Sequence, residues 1–185
     1  MSTPAITTGL DGVIASGNVP TWIVQEADMT PALTDQDTSI SASVLSAAGT
    51  VKADCYHDMG DVSFTRTEQT RDRKRACEKI TVTVKTGETI DGTITAIYDQ
   101  QQLGADAEIN AVYEATPEGS TIYVVIAYGH DSMSATPPAY ADVYRGKVQM
   151  RSKNDPVDGE DLEYTATISA DLYIEDAQVV DGSGE

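Results

Sequence analysis

Apolar and polar residues alternate with a period of two over much of the second half of the chain, the spacing of a strand with one dry face. In Leu162–Leu172 the apolar row is Leu162, Tyr164, Ala166, Ile168, Ala170 and Leu172, with Glu163, Thr165, Thr167, Ser169 and Asp171 opposite. Val143–Lys153 alternates likewise, placing Tyr144, Gly146, Val148 and Met150 on one face and Arg145, Lys147, Gln149, Arg151 and Lys153 on the other. Asn154–Asp161, with Asp155-Pro156 and Asp158-Gly159, is turn chemistry between them. A long hairpin is therefore predicted, its basic row lying beside Glu163 and Asp171 as cross-strand pairs. Upstream, Val62 and Phe64, then Ile80, Val82 and Val84, and then Ile90, Ile94, Ala96 and Tyr98 predict further half-buried strands, with Asp91-Gly92 as a turn or bulge. Thr121–Tyr128 (TIYVVIAY) is apolar on both sides and predicts a strand covered on both faces.

One segment repeats at three and four instead. Ala105, Ile109, Val112 and Tyr113 predict a helix over about 105–116, with Asp106 and Glu108 near its positive end and Pro117-Glu118-Gly119 closing it. Arg66–Glu78 (RTEQTRDRKRACE) has only Ala76 and Cys77 as apolar residues, so no core face can form there. A long polar loop over about 66–78, mobile or drawn out as a hairpin, is predicted. The first fifty residues are rich in Ser, Thr, Ala and Asp and are interrupted by Pro4, Pro20 and Pro31. Within them, Val19–Val24 around Trp22 and Ser39–Leu45 are the strand candidates. Residues 1–18 are expected as a loose arm and residues 176–185 as a frayed tail. These elements predict a mainly β (α+β) chain in one domain spanning residues 1–185.

Charge narrows the function. Twelve basic residues against 30 acidic ones give a net charge of -18, which makes generic adhesion to nucleic acid unfavourable. The basic residues crowd into Arg66–Lys85 and Arg145–Lys153, so the positive charge occupies two patches. A basic segment on an acidic subunit is suited to meeting the acidic surface of a neighbour, and the Arg66–Lys79 cluster lacks the aromatic residues that stack on bases. Two cysteines, Cys55 and Cys77, fall short of a disulfide framework. The Met-Ser-Thr-Pro start has no basic region and no apolar run, so neither export by a cleaved signal nor membrane insertion is expected.

Candidate chemistry is sparse. No phosphate-binding glycine loop, Gly-x-Ser-x-Gly elbow or His-Glu-x-x-His pattern occurs in the sequence. Gly129-His130-Asp131-Ser132 has the residue types of a triad, but neighbours on a strand or turn cannot converge on one reacting atom. Cys55, His57, Asp58 and Cys77 lack the paired spacing of structural zinc, and Asp155–Asp161 lacks the alternating ligands and closing Glu of a calcium loop. No catalytic residue, metal or cofactor is assigned.

The order of features resembles the major tail tube proteins of long-tailed, siphovirus-like bacteriophages. The likeness is carried over Asp61–Ile174 by a strand, the polar loop, two strands, ADAEINAVYEAT, TIYVVIAYG and the closing hairpin DVYRGKVQMRSKNDPVDGEDLEYTATISADLY. It implies a β-sandwich or barrel with one flanking helix and no enzymatic activity. It further implies a virion component, made in the host bacterial cytoplasm, whose hexameric rings stack into a hollow tube through which DNA passes. Tape-measure and tail terminator or tip proteins are the implied partners. On that footing Arg66, Arg71, Arg73, Lys74 and Arg75 are the expected inter-ring or inter-subunit contact. Arg145, Lys147, Arg151, Lys153, Glu163 and Asp171 are the expected interface or lumen face. The alternatives are a tube subunit of a bacterial contractile injection or secretion machine and a β-sandwich binding or decoration module, with Tyr140 and Tyr144 as its aromatic candidates.

Overall fold

The computed structural model describes residues 17–74, 76–77, 79–103 and 108–181. Eight strands are formed: β1 (Thr21–Gln25), β2 (Ser39–Ser41), β3 (Val51–Lys52), β4 (Val62–Arg73), β5 (Val82–Ile97), β6 (Thr121–Ile126), β7 (Tyr140–Lys153) and β8 (Glu163–Val180). They join into one sheet in the order β3-β1-β6-β7-β8-β5-β4, with β2 added in parallel to the end of β8. The chain is thus mainly β, with one short helix, α1 (Ala111–Ala115).

Alternation along β1 and β6 supplies two cores, one on each side of the sheet. Ile23, Ile122, Val124 and Ile126 pack with Ile94, Ala96, Tyr164, Ala166, Ile168 and the helix residues Val112 and Ala115. Trp22, Val24, Tyr123 and Val125 face the opposite side, where Met29, Leu33, Ile40 and Val44 from the segment before β3 cover them. TIYVVIAY is therefore dry on both faces as its composition predicts, although segments of sheet and the β1–β3 connection do the covering, with α1 against only one side.

The long hairpin β7–β8 serves both cores because its register shifts at three places. On β8, Tyr164, Ala166 and Ile168 belong to the first core, yet Leu172, Ile174 and Ala177 belong to the second. The extra residue at Asp171 turns the strand over, and a second irregularity near Asp176, whose φ is 50°, restores the inward aim of Ala177. Asp142 accepts the Asp176 N–H at 2.9 Å and so holds this corner. Gly146 lies where β7 crosses closest to β8: a Cβ there would meet Ile168 Cγ2 at 2.6 Å and the Ala170 Cα at 2.9 Å.

Several sequence expectations are corrected. Of the two forms expected for the polar segment from Arg66, a mobile loop or a drawn-out hairpin, the second is found: through Arg73 it is the outer half of β4, paired with β5 as a projecting two-stranded arm whose register shifts once, between Gln69 and Thr70. Thr and Val at alternate positions favour the pleated backbone, and the ladder satisfies the peptide groups without a core. Ile80, Val82 and Val84 consequently lie exposed on the arm instead of half-buried. Asp91-Gly92 is neither turn nor bulge. Gly92 pairs with Phe64 in mid-strand, and the ring occupies the space a side chain would need. The helix is shorter than predicted: a 3-10 turn at Glu108–Asn110 leads into Ala111–Ala115, and residues 104–107 lie outside the described residues. Buried Asn110 ties this start down by bonding both the N–H and the carbonyl of Asp99 at 2.9 Å. The Ser39–Leu45 strand stops at Ser41, whose hydroxyl caps a 3-10 helix over Ala42–Ser46. The tail is not frayed from 176, because β8 continues to Val180 and its Gln178 and Val179 N–H groups bond Thr38 and Ala139. Residues 1–16 and 182–185 lie outside the described residues.

Candidate assembly surfaces

The arm has two unlike faces. Arg66, Glu68, Thr70 and Asp72 lie on one side of β4 and pair across to Ile90, Glu88, Lys85 and Thr83. Their charges neutralise one another: Arg66 Nε meets Glu88 at 2.6 Å, Lys85 bridges Glu68 at 3.0 Å and Glu88 at 2.8 Å, and Thr83 donates to Asp72 at 2.7 Å. Hydrogen bonds from Arg66 and Lys85 hold the Glu88 carboxyl down at about 2, far below its ordinary value. The Arg66 guanidinium also lies 4.7 Å from the centre of the Tyr173 ring, anchoring the base of the arm to the body. On the opposite face Arg71 and Arg73 pair with Val84 and Val82. Among the described residues neither guanidinium has an ion-pair partner, and both valines are exposed. Lys74 follows directly and is exposed, while Arg75 lies outside the described residues.

The expected basic row on β7 divides between the two sides of the sheet. Arg145 makes a two-pronged ion pair with Asp171, at 2.8 and 2.9 Å, and donates to the Leu33 carbonyl at 3.3 Å. This fork, the cross-strand contact anticipated for Asp171, raises the Arg145 pKa further above its ordinary range. Lys147, opposite Ser169, is exposed. The extra residue at Gln149 then turns the strand, so Arg151 and Lys153 lie on the other side. The Arg151 guanidinium stacks 4.0 Å from the Tyr113 ring centre and donates to the Tyr113 carbonyl at 2.8 Å; Lys153 lies 5.2 Å from the Tyr98 ring centre. Glu163 accepts from the Asn154 side-chain amide at 3.3 Å instead of from a basic chain. Met150, expected on the dry face, is exposed for the same reason.

Tyrosines replace most of the missing aromatic bulk inside. Phe64, Tyr144 and Tyr173 stack in series with ring centres 4.0 and 4.6 Å apart. Tyr98, Tyr113 and Tyr164 form a second group, and the fully buried Tyr164 hydroxyl bonds Thr116 at 2.8 Å. Burial pushes the Tyr164 and Tyr173 phenols up to about 12. Of the two tyrosines named as candidates for an aromatic platform, Tyr144 is 8 % exposed and packs in the stack, whereas Tyr140 is exposed.

Among the described residues, no group of side chains gathers the elements of a catalytic site. Cys55 and Cys77 are free and exposed, and His57, beside Asp58, Glu160 and Asp161, lines a shallow polar cleft. His130 bonds the Thr136 carbonyl in the loop after β6. Among the described residues, no three His, Cys, Asp or Glu side chains converge as metal ligands, and no helix is long and apolar enough to cross a membrane.

Among the described residues the sheet ends in a long exposed edge strand that carries a charged arm, an edge open to pairing with another chain. The chain belongs to the phage tail tube protein family, whose model matches residues 8–182. It is therefore a structural tail component of a phage virion and not an enzyme. No curated protein sequence matches the chain. Among solved structures it is similar to the anti-feeding prophage baseplate in its 6-fold symmetrised form, at 10% identity over 94% of this chain and 95% of that one, with a TM-score of 0.47. It is also similar to the SPP1 tail tube, at 12% identity over 90% of this chain and 81% of that one, with a TM-score of 0.49.

Proposed function

We propose that six copies of the chain form a ring, that rings stack into the hollow tail tube, and that the phage genome passes through it during ejection. The observation that carries this is the free outer edge of β4, unpaired along Val62–Arg73 among the described residues, at one end of a sheet whose other end is the two-residue strand β3. An exposed edge of this length is a template for pairing with another chain, and a closed ring of copies removes it. Pairing of the β4 edge with the sheet of the next copy, repeated head to tail around a ring, covers that edge in every copy.

The arm extends past that wall and reaches the neighbouring ring. Seven of the twelve basic residues lie in Arg66–Lys85, on a subunit of net charge -18, so the face bearing Arg71 and Arg73 is complementary to the acidic exterior of another copy. Val82 and Val84, exposed and opposite Arg73 and Arg71 on β5, supply apolar contact beside them. A tape-measure protein inside and terminator or tip proteins at the ends complete the tail, and the subunit is made in the host cytoplasm.

The test is negative-stain electron microscopy of concentrated protein with Arg71→Glu and Arg73→Glu introduced together. The wild type is expected to form tubes and the variant only rings or free subunits, with circular dichroism unchanged. Tubes of unaltered length and yield from the variant would refute the contact.

A further inference from the structure

The second core is open at the β3 end of the sheet. A groove of about 420 Å³ lies there beside Trp22, with Ala42 and Leu45 of the 3-10 helix on one wall and Ala135 and Pro137 of the β6–β7 connection on another. Trp22 is buried, yet Ala42 and Leu45 are only half-buried and Ala135 and Pro137 are exposed, so apolar surface faces the groove without cover. Lys52 of β3, paired with Trp22, stands at the rim. Its ammonium lies 5.8 Å from the centre of the Trp22 ring and 3.4 Å from Asp54, and it donates to the Ser132 carbonyl. The start of the described chain reaches the same rim: the Ser132 N–H donates to the Gly17 carbonyl at 2.9 Å, and Ser134, two residues on, lines the groove. Asp181, just after β8, lines it as well.

We propose that residues 1–16 of the same chain fill this groove as a strap, with Leu10, Val13 and Ile14 against Trp22, Leu45 and Pro137. Reach permits it: Ile14 and Leu10 precede Gly17 by three and seven residues, roughly 10 and 23 Å of extended chain. Chemistry favours it, because an open apolar wall gains most from aliphatic side chains and this segment brings them with no Lys or Arg. Its one charged side chain, Asp11, suits Lys52, the cation of the groove. Residues 182–185 also start at the groove, but Gly-Ser-Gly-Glu carries no apolar side chain and would set a second carboxylate beside Asp181. A second copy could offer the same aliphatic residues, yet a segment tethered at the rim has an effective concentration that a free copy lacks. The strap closes the second core. A segment committed to its own subunit is not a link to the next one, so association falls to the sheet edge and the arm.

The experiment uses the full chain as unassembled subunits. Trp22 is the only tryptophan, so intrinsic emission reads the groove directly. Leu10→Ser, Val13→Ser and Ile14→Ser introduced together are expected to shift that emission to the red and to steepen its quenching by acrylamide, with circular dichroism unchanged. Emission and quenching like those of the wild type would overturn the proposal. Cross-linking identifies the occupant after Cys55 and Cys77, both exposed, are replaced by serine. Val13→Cys is combined with Ala135→Cys, Ser183→Cys is combined with Ala135→Cys in a second protein, and both are oxidised. The first pair is expected to close into a disulfide in a species that runs as a monomer on a non-reducing gel. Closure as a dimer would give the groove to a second copy, closure of the Ser183 pair alone would give it to residues 182–185, and closure of neither would leave it without a strap; each of these overturns the assignment. If the triple serine variant loses its fold, the cross-link still decides.

Discussion

Gly146→Ala offers the sharpest check on how β7 and β8 are held together. The added methyl would lie 2.6 Å from Ile168 Cγ2, 2.9 Å from the Ala170 Cα and 2.9 Å from the Ser169 carbonyl oxygen. Two of those three neighbours are backbone, so the strands themselves must separate. Overpacking of this kind costs about 3 kcal/mol at the upper end of its usual range. Against this, alanine loses less chain entropy than glycine on folding, which offsets about 0.5–1 kcal/mol. The net loss is about 2 kcal/mol, a fall in Tm of about 4–8 °C for a chain of this size. Gly87→Ala is the control: its methyl would come no nearer than 3.5 Å to a side-chain atom of Gln69, so only the favourable entropy remains, about 0.5 kcal/mol. Thermal unfolding of the unassembled subunit, followed by circular dichroism, should place the two variants on opposite sides of the wild type. A Gly146→Ala protein as stable as Gly87→Ala would show that the close approach of the strands is not as described.

Two further outcomes are expected. Thr116→Val should destabilise the subunit more than Tyr164→Phe, by about 2 kcal/mol against about 1 kcal/mol in denaturant titrations. Valine leaves the buried Tyr164 hydroxyl without its partner, whereas phenylalanine leaves Thr116 still donating to the Val112 carbonyl at 3.0 Å. The arm should also loosen in acid before the body does. Glu88 is held at about 2 against an ordinary 4.5, so its contribution is complete above 4.5 and is lost as pH falls toward about 2. Amide exchange along Arg66–Arg73 and Val82–Glu88 should rise in that window relative to β6, and Glu88→Gln should remove the pH dependence.

The sequence makes strand identity legible where burial is one-sided or two-sided over a whole run. Thr121–Ile126 and Tyr164–Ile168 are found where their patterns put them because nothing interrupts the pleat there. The pattern misleads at the bulges. Ala166, Ile168, Ala170 and Leu172 keep an even spacing, yet the extra residue at Asp171 sends Leu172 to a different core, and a bulge carries no signature in hydropathy. The same effect split Arg145 and Lys147 from Arg151 and Lys153, which a period of two assigned to one face. The arm left loop and hairpin equally open for another reason: its strands bury almost nothing, so only their β-branched residues, such as Val82 and Val84 opposite Arg73 and Arg71, mark them as strands. Of the proposed contact residues, Arg71 and Arg73 lie on one face of the arm, whereas Arg66 is occupied by Glu88 and Tyr173.

Because β7 and β8 cross from one side of the sheet to the other, the same two strands complete the packing around Ile94 and the packing around Met29. Neither half of the molecule keeps its apolar interior closed if the other opens. A subunit built this way is expected to unfold as a single unit, without yielding part of itself to tension while the remainder stays folded.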